Sequence, residues 1–188
     1  MQISKTNVGR ISERIVANEL EARGFRVSDL NSDGTAANAD MLAVSPNAAL
    51  QIQVKGATNP DDKPWWVGYG FCTEPIIEKL NKETMFNRRS SFYTASHVVL
   101  VAVRSPTVYS YVVLPVDAAE EAAQLNLDRN FRAPKRDGQK KSPGKVFIEL
   151  EPLPNARRET IERCANERKI LANYRDDLGW AKLLSFSN

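Results

Sequence analysis

Cysteine and histidine are nearly missing from this chain of 188 residues, which has two of the first and one of the second. Cys72 and Cys164 stand far apart with no CxxC spacing, which argues against a zinc ribbon and against a disulfide framework. The lone His97 argues against mechanisms that need two histidine ligands or a Ser-His-Asp triad; one histidine acting alone stays open. No apolar run approaches the roughly 20 residues that cross a bilayer, so no membrane span is expected. The first seven residues lack the apolar centre of a signal peptide, and a cytoplasmic location is expected. Charge of one sign is scarce too. Twenty-six basic residues face 23 acidic ones, for a net +3 and a pI near 8.9. That balance suits nucleic acid without arguing for it. What is present is ordinary for a globular protein with a real core: 42% hydrophobic and 26% charged residues.

The apolar pattern sets out an α/β chain. Residues 9–23 read as a helix: Val8, Ile11, Ile15 and Ala22 share one face, widened by Val16 and Leu20, and Gly24 ends it as a C-cap. Phe25–Leu30 reads as a short strand, followed by turn chemistry at 31–35. Strands at 39–44 and 49–55 form a hairpin over Ser45, Pro46 and Asn47. Residues 56–74 read as a loop with room for an extra strand, and 75–90 as mostly helix. His97–Val103 is apolar throughout and belongs inside a sheet. Val108–Leu114 is a further strand, 116–125 a helix, 128–145 a polar basic stretch, and Val146–Leu150 a strand. Residues 155–173 read as a charged amphipathic helix, with a short helix to close. One domain is expected, its core over about 8–115 and a C-terminal extension over about 116–188.

The most informative segment runs from Asp40 to Lys55. Within it Leu50, Ile52 and Val54 point to one side of a strand, and Gln51, Gln53 and Lys55 to the other. The polar side carries an amide and an ammonium group beside a neighbouring strand that holds the Asp40 carboxylate. An acid, an amide oxygen and a lysine together suit binding of a hard cation and activation of a water, the chemistry of phosphodiester hydrolysis.

Other residues carry this pattern further. Gly9 precedes Glu13 in the first helix, which ends at Gly24 and Phe25. Asp40 follows Ala39, and Gln53-Val54-Lys55 ends the alternating strand. In element order and in these residues the chain resembles the PD-(D/E)xK nuclease superfamily, with glutamine in place of the second acid and alanine where proline often stands. Within it the archaeal Holliday-junction resolvases and the Mrr-type restriction enzymes look nearest. The resemblance covers roughly residues 8–103. It implies a restriction-endonuclease-like α/β fold, a mixed central sheet flanked by helices in the order α-β-β-β-α-β. It implies a Mg2+- or Mn2+-dependent DNA endonuclease of restriction type, working as a homodimer. It further implies catalytic roles for Glu13, Asp40, Gln53 and Lys55. Asp40, Gln53, the Val54 carbonyl and Glu13 would serve the metal, and Lys55 the attacking water. A junction-specific nuclease, or a DNA-binding protein of this fold with weakened catalysis, are the alternatives.

Plainer readings compete at each position. Asp40 also suits capping of turn amides between Asn31 and Asn38, and Gln53 and Lys55 suit a solvated strand face. Glu19 rivals Glu13, because it falls in the middle of the apolar helix face and needs a partner there. Trp65 is a candidate for stacking on a base, with core packing as the plainer reading for one of the Trp65–Trp66 pair. Arg88 and Arg89, together with Lys135, Arg136, Lys140 and Lys141, are candidates for phosphate contact, against the reading of ordinary solvated charge. A non-enzymatic interaction module, its basic loop on an acidic protein, is the rival from another class. His97 reads as structural. Ile161, Ala165, Ile170 and Leu171 offer a dimer seam as an alternative to a salt-bridged surface helix.

Overall fold

The computed structural model describes residues 5–30, 39–58, 65–68, 92, 94–105, 108–132, 145–148 and 158–185. The first apolar stripe folds as α1 (Lys5–Ala22). Val8, Ile15, Val16 and Leu20 are buried on it, whereas Ala22, counted on the same face, is exposed. Gly24 has a φ of 87°, a left-handed conformation that a Cβ would strain. The Phe25 N–H returns to the Leu20 carbonyl at 3.1 Å, as in a glycine-terminated helix.

Five strands then build the main sheet: β1 (Arg26–Asp29), β2 (Met41–Val44), β3 (Ala49–Thr58), β5 (His97–Ser105) and β6 (Val108–Pro115). Their order is β1-β2-β3-β5-β6. β1, β2 and β3 pair antiparallel in sequence, β5 lies parallel to β3, and β6 returns antiparallel to β5. β4 (Trp65–Gly68) pairs separately with β7 (Lys145–Ile148). This mixed sheet flanked by helices is the architecture the resemblance implies. The helix expected at 75–90 lies outside the described residues, as do Arg88, Arg89, Lys135, Arg136, Lys140 and Lys141.

Two cores form, one on each face of the sheet. On one face Leu50, Ile52 and Val54 pack with Ile15, Val16 and Leu20 of α1 and with Val99, Val101 and Val103 of β5. On the other, Val98, Leu100 and Ala102 meet the alanine-rich face of α2 (Val116–Arg132), together with Trp65 and Ile148. β5 is thus apolar from Val98 to Val103 because both of its faces are covered there. Burying each of Leu50, Ile52 and Val54 is worth about 1.5–3 kcal/mol. A one-residue slip of β3 would turn Gln51, Gln53 and Lys55 toward the α1-side core instead, so this apolar side fixes the register that positions the polar one.

Several expectations need correction. β3 runs on through Gly56 to Thr58. α2 continues to Arg132. The single helix expected at 155–173 is divided at Cys164 into α3 (Arg158–Arg163) and α4 (Ala165–Ala172). The proposed seam on it is not one surface: Leu171 is fully buried in the core and Ile170 packs against it, while Ile161 stays 40% exposed. The chain closes with α5 (Asp176–Ser185), whose Trp180 and Leu183 enter the α1-side core. On the way it covers the outer edge of β6. The Val113 N–H donates to the Tyr174 carbonyl at 2.9 Å, and the Tyr111 N–H to Asp176 Oδ1 at 2.8 Å. The 111–113 part of that edge is therefore occupied, which hinders strand pairing with another chain there.

Candidate functional site

β2 is only four residues long, and its first residue, Met41, faces Ile52. Beyond Ile52 the edge of β3 has outrun its antiparallel neighbour. Asp40 continues the ladder with main chain and side chain together. Its N–H donates to the Ile52 carbonyl at 2.9 Å, and its Oδ2 accepts the Val54 N–H at 2.6 Å. The same oxygen accepts a hydrogen bond from Gln53 Nε2. That amide nitrogen also lies 3.5 Å from the Val54 carbonyl oxygen, so it stands between the two. Gln53 is 4% exposed, far from the solvated face of the plainer reading, and Lys55 is half-buried on the same side of the strand.

α1 contributes Glu13. It is half-buried and lines an open cleft of about 320 Å3 with Asp40, Asp29, Arg10 and Arg14. Burial raises the Glu13 pKa above the ordinary carboxylate value, and the negative charges of Asp40 and Asp29 raise it further. Lys55 and Arg10 pull it the other way and are outweighed. Glu13, Asp40, Gln53 and Lys55 are thereby gathered in one region. Asp29 and Arg10 belong to the same electrostatic group and were not singled out from the sequence. What brings Asp29 there is its pairing with Met41 across β1 and β2, a register that the isolated strand at 25–30 does not carry. Among the described residues no three His, Cys, Asp or Glu side chains converge closely enough to hold an ion by themselves. Any ion held here would use neutral oxygens as well.

The rivalry between Glu13 and Glu19 resolves on contacts. Glu19 Oε1 accepts the Tyr111 hydroxyl at 2.9 Å, and Oε2 pairs with Arg23, whose guanidinium stacks 4.6 Å from the Trp180 ring centroid. Burial, then the bond to Glu19, pushes the Tyr111 phenol well above its ordinary value. Glu19 is the partnered glutamate at the rim of the apolar face, and it ties α1 to β6 directly and to α5 through Arg23. Trp65 is likewise structural, which corrects its assignment to nucleic acid. It is 2% exposed in the core beside Ile148, and its Nε1 donates to the Val101 carbonyl at 3.2 Å. His97 is buried, which lowers its pKa, and its Nδ1 lies 3.2 Å from Ser96 Oγ.

No protein-family model matches this chain, and neither does any curated protein. Solved structures similar to it include a bacterial homing endonuclease, at 15% identity over 61% of this chain and 70% of the other, with a TM-score of 0.40. Another is the Hjc Holliday junction resolvase of Archaeoglobus fulgidus, an archaeal hyperthermophile, at 20% identity over 58% of this chain and 74% of that one, TM-score 0.35. A third is MepB, at 10% identity over 87% and 94%, TM-score 0.36. At these values the reading of the site rests on the chain's own residues.

Proposed function

We propose that the chain is a metal-dependent DNA endonuclease of restriction type, with Asp40, Gln53, Lys55 and Glu13 as its catalytic residues. One observation carries the reading: Asp40 is held against the Gln53 side chain and the Val54 amide, on the strand that presents Lys55, with Glu13 within electrostatic reach. The donor set fits a hard divalent cation. It offers the Asp40 and Glu13 carboxylates, the Val54 carbonyl and the Gln53 carboxamide, all oxygen ligands. Burial first, and then the charges of Asp40 and Asp29, disfavour the ionised Glu13 carboxylate, and a nearby cation would favour it. A bound Mg2+ or Mn2+ would polarise a phosphate oxygen and acidify a water. Lys55 then offsets charge on the phosphate and orients the attacking water. Glu13 would reach the cation directly or through a water. A twofold pair of chains would match duplex symmetry, one site per strand.

The test is nicking of supercoiled plasmid with Mg2+, Mn2+ or EDTA. Cleavage is expected only with metal. Lys55→Ala is expected to lose it at least a hundredfold while binding DNA within a few-fold of the native protein. Full activity in folded Lys55→Ala would overturn the assignment. A second reading, a DNA-binding protein without catalysis, is favoured by Gln53 itself, a neutral amide hydrogen-bonded to Asp40 where the family pattern has an acid. DNA binding without metal-dependent nicking would support it.

A further inference from the structure

The position of one nitrogen has a meaning beyond ligand identity. Gln53 Nε2 stands between Asp40 Oδ2 and the Val54 carbonyl oxygen, the two oxygens assigned above to the cation. Its two N–H groups carry partial positive charge and face both. The opposite orientation would set the carboxamide oxygen against the Asp40 carboxylate, which is repulsive, so beside that carboxylate the amide presents its nitrogen. Gln53 is also 4% exposed, which leaves its side chain little solvent to turn into.

We propose that Gln53 is a placeholder for the cation: its amide N–H groups occupy the ion's place between Asp40 and Val54 in the ion-free protein, and the carboxamide turns over to offer Oε1 when the ion arrives. The proposal rests on the reading of Asp40 and Val54 as metal ligands. It gives the glutamine a purpose that a glutamate lacks. A carboxylate at position 53 would lie buried against the Asp40 carboxylate, like charge against like. The amide lets the strand fold with no ion present. The consequence is that ion binding competes with an internal hydrogen bond to a charged acceptor, so affinity is low, and lower than for the acid at the same place.

Two measurements test this, neither needing turnover. In 1H–15N spectra with diamagnetic Mg2+, the Gln53 side-chain NH2 signals should be shifted and exchange-protected in EDTA, as hydrogen-bonded amides are. They should lose both properties as Mg2+ saturates, with backbone signals of β5 unmoved. Gln53→Glu should bind Mn2+ at least tenfold more tightly by calorimetry, and should melt lower than the native protein in EDTA but recover with Mn2+. If it is unfolded in EDTA and folds on adding Mn2+, that is the same result in its extreme form. If it stays unfolded with Mn2+, or if its stability in EDTA equals the native protein's, the placeholder role is overturned. Gln53→Met guards against misfolding as an explanation. It removes amide and charge together, and should fold and melt in EDTA closer to the native chain than Gln53→Glu does. Binding of Mn2+ by the native protein with the Gln53 NH2 signals unmoved would overturn the placeholder alone. Absence of Mn2+ binding in native and variant proteins alike would instead overturn the metal-site reading on which it rests.

Discussion

Asp40 has two duties that substitution can separate. Its carboxylate continues the β3 ladder by accepting the Val54 N–H, and it is the proposed anionic ligand. Asp40→Asn keeps an acceptor oxygen for Val54 and loses the charge. It should fold with a melting temperature near the native value, yet bind Mn2+ at least tenfold more weakly and lose cleavage. Asp40→Ala removes the acceptor as well and should cost a further 1–3 kcal/mol or so of stability, because the Val54 N–H loses its partner. Unchanged Mn2+ binding in Asp40→Asn would move the metal elsewhere. Glu13 gives a pH signature. Its folded-state pKa is raised, so ionising it costs the folded state more than the unfolded one. Stability relative to an uncharged residue is full below the ordinary carboxylate value and is lost as pH rises through the raised one. Glu13→Gln should therefore melt above the native protein at pH 7 and level with it near pH 3.5. Equal melting at both values would remove the electrostatic account of this cluster. At this scale the sequence was informative where alternation marks sides: the polar positions of β3 pointed to Gln53 and Lys55. Asp29 and Arg10 escaped because no periodicity records which charges meet across a cleft. Trp65 was misassigned because adjacent aromatics among polar neighbours do not reveal which ring a second sheet will cover.

The joint between α1 and β3 shows how elements hold the site. Gly56 directly follows Lys55, and Ser12 directly precedes Glu13. A Cβ at Gly56 would lie 2.2 Å from Ser12 Oγ and 3.0 Å from Val8 Cγ1. The absent side chain is what lets the helix lie this close to the strand. Ser12 is fully buried and its Oγ has no hydrogen-bond partner among the described residues, so the hydroxyl adds little to stability. Gly56→Ala should push the helix outward and cost about 1–3 kcal/mol. Ser12→Ala alone should be close to neutral, and the double variant should recover part of the loss. Strictly additive melting shifts would mean that the two positions do not meet. The same joint explains one misreading. Gly56 looks like punctuation in the sequence, so β3 was ended before it, yet here a glycine in a strand marks close approach by a helix. The unbroken His97–Val103 run, by contrast, was legible as an interior strand because only burial on both faces tolerates it. The division at Cys164 left no sequence signal, since neither glycine nor proline stands there.

At the scale of the molecule, the α/β class is legible in where apolar runs fall and the mixed sheet is what the resemblance implies, whereas the covering of part of the β6 edge by residues 174–176 is a long-range contact that local pattern does not encode. Binding to a duplex is also a property of the whole surface, and here charge density is the guide. Between Arg129 and Lys145 seven basic residues accompany one acid, Asp137, in a chain whose total is only +3. If DNA is the substrate, this segment is the proposed sequence-independent contact, acting on phosphates rather than bases. Neutralising Lys135, Arg136, Lys140 and Lys141 together should weaken affinity for every duplex alike. It should also flatten the dependence of log affinity on log salt by about 0.9 for each phosphate that the variant no longer neutralises. Anisotropy titrations at several salt concentrations, with metal omitted, separate this electrostatic contribution from anything at Asp40. A slope that falls by about three or four would mean that most of the segment meets the backbone. An unaltered slope would show that the charge there is only solvated, and Arg88 and Arg89 would then be the next cations to neutralise. A salt slope near zero in the native protein itself would count against DNA as the partner and favour an acidic protein surface, because only a polyelectrolyte releases condensed counterions on binding.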